Sequence, residues 1–276
     1  MREDLVNGRW PALALGLALC LAGCASRPVS PDPRQEAVRS FSAVQIWKPS
    51  ATALASPLAM LPPFILAETG SGFTQPMGLA MGPGAAVEAT TNHSVVYVHS
   101  DTLALEGRAH ARLTYWWVSA AGSAMALRLT LNSAGAPVLW EVADHRWPRQ
   151  MVFVARSLET AAAAAFGEPL PGRAVVIERS LESAPHTTVV RILEDGPVPM
   201  GPMVYVAGTP PEVASVICRC MPAQAVAVAG MGEFEVETAE PLVRLWLARR
   251  GVELDAGLWP TRFDSLDKVL RLPPDF

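Results

Sequence analysis

From Ala86 onward, apolar and polar positions alternate in short, repeated runs. "HSVVYVHS", "ARLTYWWVS", "MALRLTLNS" and "PVLWEVAD" are rich in β-branched and aromatic residues, the pattern of half-buried strands. Turn chemistry in "NSAGAP", Asn132 to Pro137, separates the last two and predicts a hairpin. Short loops between four such runs predict an antiparallel sheet. Near the C-terminus the period changes. In "EPLVRLWLARRG", Leu242, Leu245 and Trp246 fall at helical spacing, arginines sit in the last turn, and Gly251 stops the helix.

A weak repeat runs through the second half, pairing residues 138–180 with 190–232. At a constant offset "MVFVARSLETAAAAAFG" from Met151 falls on "MVYVAGTPPEVASVICRC" from Met203, and Ser157 falls on Thr209 at expected helix N-caps. Thr209-Pro210-Pro211-Glu212 has the form of a capping box with proline at the first helical position. Val213, Val216, Ile217, Cys220 and Met221 follow at the spacing of a packed helical stripe, and Pro222 ends it. The expected fold is therefore α+β: an antiparallel-sheet-rich domain with a few helices, built in part from two similar β-β-α-β units. The domain is expected over residues 86–276.

The first third reads differently. Residues 41–85 are apolar but broken by Pro57, Pro62 and Pro63, which argues against a spanning helix and for chain packed on the core. Residues 24–40 include "ASRPVSPDPRQE", a Pro-, Ser- and charge-rich stretch that reads as an extended tether. Ahead of it lies a short apolar run, Ala12 to Ala22, ending Leu21-Ala22-Gly23-Cys24. This resembles the lipobox of bacterial lipoproteins. The resemblance implies a signal peptide over residues 1–23 and a lipidated Cys24. It also implies a cell-envelope location facing the periplasm; Ala25 and Ser26 after the cysteine resemble the outer-membrane form of the sorting signal. Glu3 and Asp4 offset Arg2 and Arg9, which points to a translation start slightly downstream. The run is too short to span a bilayer, and acyl chains on one cysteine hold at roughly 0.8 kcal/mol per buried CH₂.

Composition narrows the function. Half the residues are hydrophobic and 17% are charged, so the chain can bury a large core. A net charge of −4 without a basic stripe argues against nucleic acid as partner.

Cys20 falls in the signal and Cys24 takes lipid, which leaves Cys218 and Cys220 as the thiols of the mature domain. With Met221 they form a soft-metal or redox candidate. On a strand the two thiols share a face, roughly 6.6 Å apart. On the helix that the flanking residues favour, they point roughly 200° apart and one ion cannot take both. A disulfide is a third reading.

Other constellations are weaker. His93 and His99 are too far apart along a strand to share a metal, and His110, His145 and His186 lack zinc spacing. Asp144 and His145 are neighbours without a serine singled out, and Glu194-Asp195 before a Gly-Pro turn lacks a second member. "GSG" and "GPG" lack the context of a nucleotide loop. Trp116, Trp117, Trp140 and Trp147 suit a groove for carbohydrate or peptide, or the sheet core, with Trp116 and Trp117 on opposite faces. No cofactor is expected. The leading expectation is a lipid-anchored envelope protein that binds or scaffolds a protein or cell-wall partner without catalysis. A copper- or thiol-handling protein using Cys218, Cys220 and Met221 is the alternative, and a hydrolase with a site assembled from distant loops is the third.

Overall fold

The computed structural model describes residues 44–54, 61–146, 150–168, 170, 187–195, 202–217, 231–238, 240–263, 266 and 270–276, all within one compact unit, Ala43–Phe276. Of the described residues 49% are strand and 16% helix, so the fold is mostly β and not the expected α+β mixture.

Among the described residues eleven strands form one sheet. They are β1 (Val44–Pro49), β2 (Phe64–Glu68), β5 (Val95–Leu105), β6 (Arg108–Val118), β7 (Ala124–Leu131), β8 (Pro137–Asp144), β9 (Gln150–Ala155), β10 (Thr187–Leu193), β11 (Met203–Ala207), β12 (Glu212–Ile217) and β13 (Met231–Glu237). Their order is β10-β9-β8-β7-β6-β5-β13-β1-β2-β11-β12. A separate antiparallel pair joins β3 (Gly78–Met81) and β4 (Val87–Thr90). Helices among the described residues include α1 (Ala51–Leu54), α2 (Arg156–Phe166) and α3 (Glu240–Ala248).

The middle of the sheet is the antiparallel meander β5 to β9. Its local turns explain it. Leu105 pairs with Arg108 across Glu106-Gly107, both at positive φ (46° and 85°), which is the two-residue hairpin turn that matches strand twist. Between β7 and β8, Asn132 Oδ1 accepts from the N–H groups of Ala134 and Ala136, so the side chain shapes the expected hairpin. The two ends of the sheet are mixed. β13 lies parallel to both β5 and β1, β11 parallel to β2, and β10 parallel to β9. Val44–Pro49 and Phe64–Glu68 are thus strands of the sheet itself.

The sheet curls, so that residues from both of its ends share one core: Ile65, Val204 and Val213 cluster with Leu127, Trp140 and Phe153. Tyr115 and Trp117 point into this core. Trp116 points the other way, into a second cluster closed by α3 and the chain after it through Trp246, Leu247, Leu258 and Trp259. A strand carrying buried residues on both faces fits the near-continuous apolar runs of β6 to β8.

Three local expectations are corrected. Residues Glu212–Ile217, read as helix, are strand β12, paired antiparallel with β11. The register shifts at Tyr205/Val206, so Ala214 is the extra residue of a bulge and lies exposed while Val213 and Val216 are both buried. A bulge turns a three-residue spacing into a same-face pair, and that spacing is what imitated a helix. Because α2 follows β9 whereas β12 follows β11, and β10 and β11 stand at opposite ends of the sheet, two β-β-α-β units do not form. Finally, Ser157 does not cap α2: Ala155 holds the N-cap position, and the capping oxygens come from Asp195.

Candidate functional site: a polar cavity under the C-terminal segment

Each of β5 to β8 contributes charge or polarity to one patch on the second face. Register brings Thr114 opposite Arg128, Arg128 opposite Glu141, and Asp101 opposite Arg112. These side chains and Leu139 lie at two-residue spacing with Trp116, Ala126 and Ala143, and so share that face.

A roof is tied over them. Leu254 bridges Pro260 across the sequence, Trp259 N–H donates to Asp255 Oδ1, and Asp255 N–H donates to Trp259 O, closing a compact loop. Trp116 Nε1 donates to Leu258 O at 2.9 Å, Thr114 Oγ1 to Gly257 O at 3.1 Å, and Arg128 Nη2 to the same carbonyl at 3.2 Å. From α3, Arg244 donates to the carbonyls of Leu254 and Asp255. Gly257 fits because a Cβ there would strike Asp101 and stand 3.1 Å from Arg128 Nη2.

Beneath the roof is a cavity of about 220 Å³, lined by Arg112, Arg128, Glu141, Leu139, Trp259 and Phe263 among others. Arg112 is spent in a two-pronged pair with Asp101. Arg128, 3% exposed, donates Nε to Thr114 Oγ1 at 3.2 Å, lies 3.5 Å from Asp255 Oδ1, and stacks its guanidinium 4.5 Å from the Trp259 ring. Burial pushes its pKa down from the ordinary arginine value, with Glu141 pulling back. Glu141, 4% exposed, accepts from Gln150 Nε2 at 2.6 Å. Burial holds its carboxyl above the ordinary range, opposed by Arg128 and Arg112. Register neighbours though they are, no Arg128 nitrogen comes within 4.0 Å of a Glu141 oxygen. A buried guanidinium and a buried carboxyl held apart across a cavity form a binding geometry rather than a closed ion pair.

Sequence reasoning did not single out Arg128 or Glu141. The available signal was a charge in mid-strand whose neighbours two residues away, Ala126 and Thr130 or Leu139 and Ala143, are all uncharged. Such a position sits on a covered face.

The residues that were singled out lie elsewhere. Asp144 and His145 do come together, at 3.5 Å, but not as a catalytic pair. His145 Nδ1 accepts from the Ala124 N–H at 2.9 Å, so it holds no proton for Asp144, and burial lowers its pKa. Asp144 is occupied by Arg146 through two hydrogen bonds. Glu194 and Asp195 clamp the start of α2: Glu194 accepts from Arg156 Nε, and Asp195 accepts from Ser157 N and Oγ. His99 lies 3.7 Å from Glu240, and His110 binds Pro274 O and stacks on Phe276 at 4.0 Å. Trp116, Trp117 and Trp140 are buried in the core and line no surface groove. Cys24, Cys218, Cys220, Met221, Trp147 and His186 lie outside the described residues. Among the described residues no group of three or more His, Cys, Asp or Glu side chains is placed to hold a metal, and no helix is long and apolar enough to cross a membrane.

No family model matches the chain, no curated protein matches its sequence, and no solved structure matches its fold.

Proposed function

We propose that this chain is a lipid-anchored cell-envelope protein whose folded domain binds rather than catalyses, with Cys24 carrying the anchor and residues 24–40 the tether. The observation that carries the binding reading is the cavity between Arg128 and Glu141, where buried polar groups keep hydrogen-bonding capacity that the protein does not use. The groups that would serve hydrolysis are engaged otherwise: Asp144 with Arg146, His145 Nδ1 with a backbone N–H, and Asp195 with the start of α2. The lipobox residues Leu21 to Cys24 support the envelope location. A protein or cell-wall partner would meet this cavity through one small side chain or end group.

Crosslinking in intact envelopes, read by mass spectrometry, tests this. Wild type is expected to give a discrete adduct with an envelope component, weakened in Cys24→Ser. Only uncrosslinked protein in both would contradict the reading.

The copper- or thiol-handling alternative gains one specific support. Glu212–Ile217 is a strand, so the helical geometry that held Cys218 and Cys220 apart has lost its basis up to Ile217. Anaerobic copper(I) titration decides it: tight binding in wild type that vanishes in Cys218→Ser is the expected signature, and equal weak binding in both ends it.

A further inference from the structure

We propose that the cavity between Arg128 and Glu141 receives a small monocarboxylate with an apolar body. This deepens, and rests on, the binding reading above.

Size sets the first limit. About 220 Å³ holds roughly seven waters at ~30 Å³ each and falls below the roughly 300–1,000 Å³ of drug-sized pockets. A polymer chain or a nucleotide does not fit, whereas a ring or short alkyl chain with one head group does.

Donor geometry sets the second. Three sides of the Arg128 guanidinium are committed: Nε to Thr114, Nη2 to Gly257 O and Asp255, and one side to the Trp259 ring. No protein hydrogen bond among the described residues reaches Nη1, which leaves it for the cavity that Arg128 lines. Glu141 is similarly half-used. Oε1 accepts the Gln150 N–H, and Oε2 has no hydrogen-bond partner among the described residues. The carboxyl is buried without a guanidinium in contact, a setting that favours its neutral form. In that neutral form the proton sits on Oε2, because Oε1 is the acceptor for Gln150. Two donors, Arg128 Nη1–H and Glu141 Oε2–H, therefore face one space.

Two donors call for an acceptor with two lone-pair-bearing oxygens, and the nearby guanidinium favours one that is negative. Arg112 is already neutralised by Asp101, and Asp255 sits against Arg128, so a second anionic head on the ligand would lack a counter-charge. A cation would meet Arg128. Leu139, Phe263 and Trp259 also line the cavity and suit a hydrocarbon or aromatic body.

Isothermal titration of the full chain near pH 6, with benzoate and hexanoate against benzamide and hexanamide, tests the assignment. The carboxylates are expected to bind at least about tenfold more tightly than their amides, since a charge-assisted bond replaces a neutral one. Arg128→Met should weaken carboxylate binding by about tenfold or more. Glu141→Gln should stay within about threefold of wild type, because its amide N–H replaces the donated O–H. Wild-type affinity should fall as pH rises and Glu141 ionises, while Glu141→Gln stays flat. Should Arg128→Met fail to fold, the acid-against-amide comparison and the pH contrast with Glu141→Gln decide alone. Absence of binding by all four probes, amides as tight as acids, or a pH response that survives Glu141→Gln would overturn the proposal. If carboxylates fail while the envelope adduct persists, this site assignment falls and the binding reading stands. If both fail, the binding reading falls with it.

Discussion

Glu141 shows how a single residue sets the chemistry of this domain. It stands in mid-strand between Trp140 and Val142, with its carboxyl buried and tied to Gln150 rather than to an arginine. Its pKa is raised in the folded protein, so the native state binds the proton more tightly than the unfolded chain does. The linked stability is fully present below the ordinary carboxyl value and is lost as pH rises through the raised one. Urea unfolding at pH 5 and pH 8 should show this contribution weakening with pH in wild type, and Glu141→Gln should flatten it. An unchanged pH slope in the variant would contradict the buried neutral acid. His145 works in the opposite direction. Its lowered pKa favours the neutral ring, so its contribution is present above the ordinary histidine value and is lost as pH falls.

At the scale of elements, α3 offers the sharpest test of what the packing requires. The residues it buries are Val243, Trp246 and Leu247, whereas Leu245 is 47% exposed. Trp246→Ala should cost about 3–5 kcal/mol, and Leu245→Ala should stay within about 0.5 kcal/mol, both read from urea midpoints. Equal losses would return the helix to the stripe that spacing alone suggested. The existence and end of this helix were legible in the sequence, because Gly251 supplies a positive-φ stop at 74°. Its rotation was not, since Leu242, Leu245 and Trp246 make as good a stripe as the one observed. Pro137–Asp144 was legible as a strand to the residue, because its neighbours in the chain are also its neighbours in the sheet. Strand β12 was misread because the bulge at Ala214 makes a strand repeat every three residues. The cavity was legible only as two odd charges, Arg128 and Glu141. Their meeting depends on cross-strand register, and their roof comes from residues more than a hundred positions later.

For the whole molecule, the decisive contact is β13. It slots parallel between β5 and β1 and so joins the local meander to the strands from both chain ends. Parallel neighbours so distant in sequence leave no local signal, which is why the strands of the meander were readable and the order of the whole sheet was not. Gly232 lies opposite Trp47 in this seam, and a Cβ there would run into the indole ring. Gly232→Ala should therefore cost about 1–3 kcal/mol, with the loss seen equally by far-UV dichroism and tryptophan fluorescence. Separate transitions for the two probes would contradict a single cooperative sheet.

The proposed receptor cavity lies in this sheet under the loop at Asp255–Trp259. Hydrogen exchange on the intact chain, with and without benzoate, addresses it most directly. The predicted result is slower exchange confined to that loop and to the facing amides of β7 and β8, because an occupied cavity holds the roof closed. Exchange unchanged there at saturating benzoate, or protection appearing elsewhere in the sheet, would contradict it.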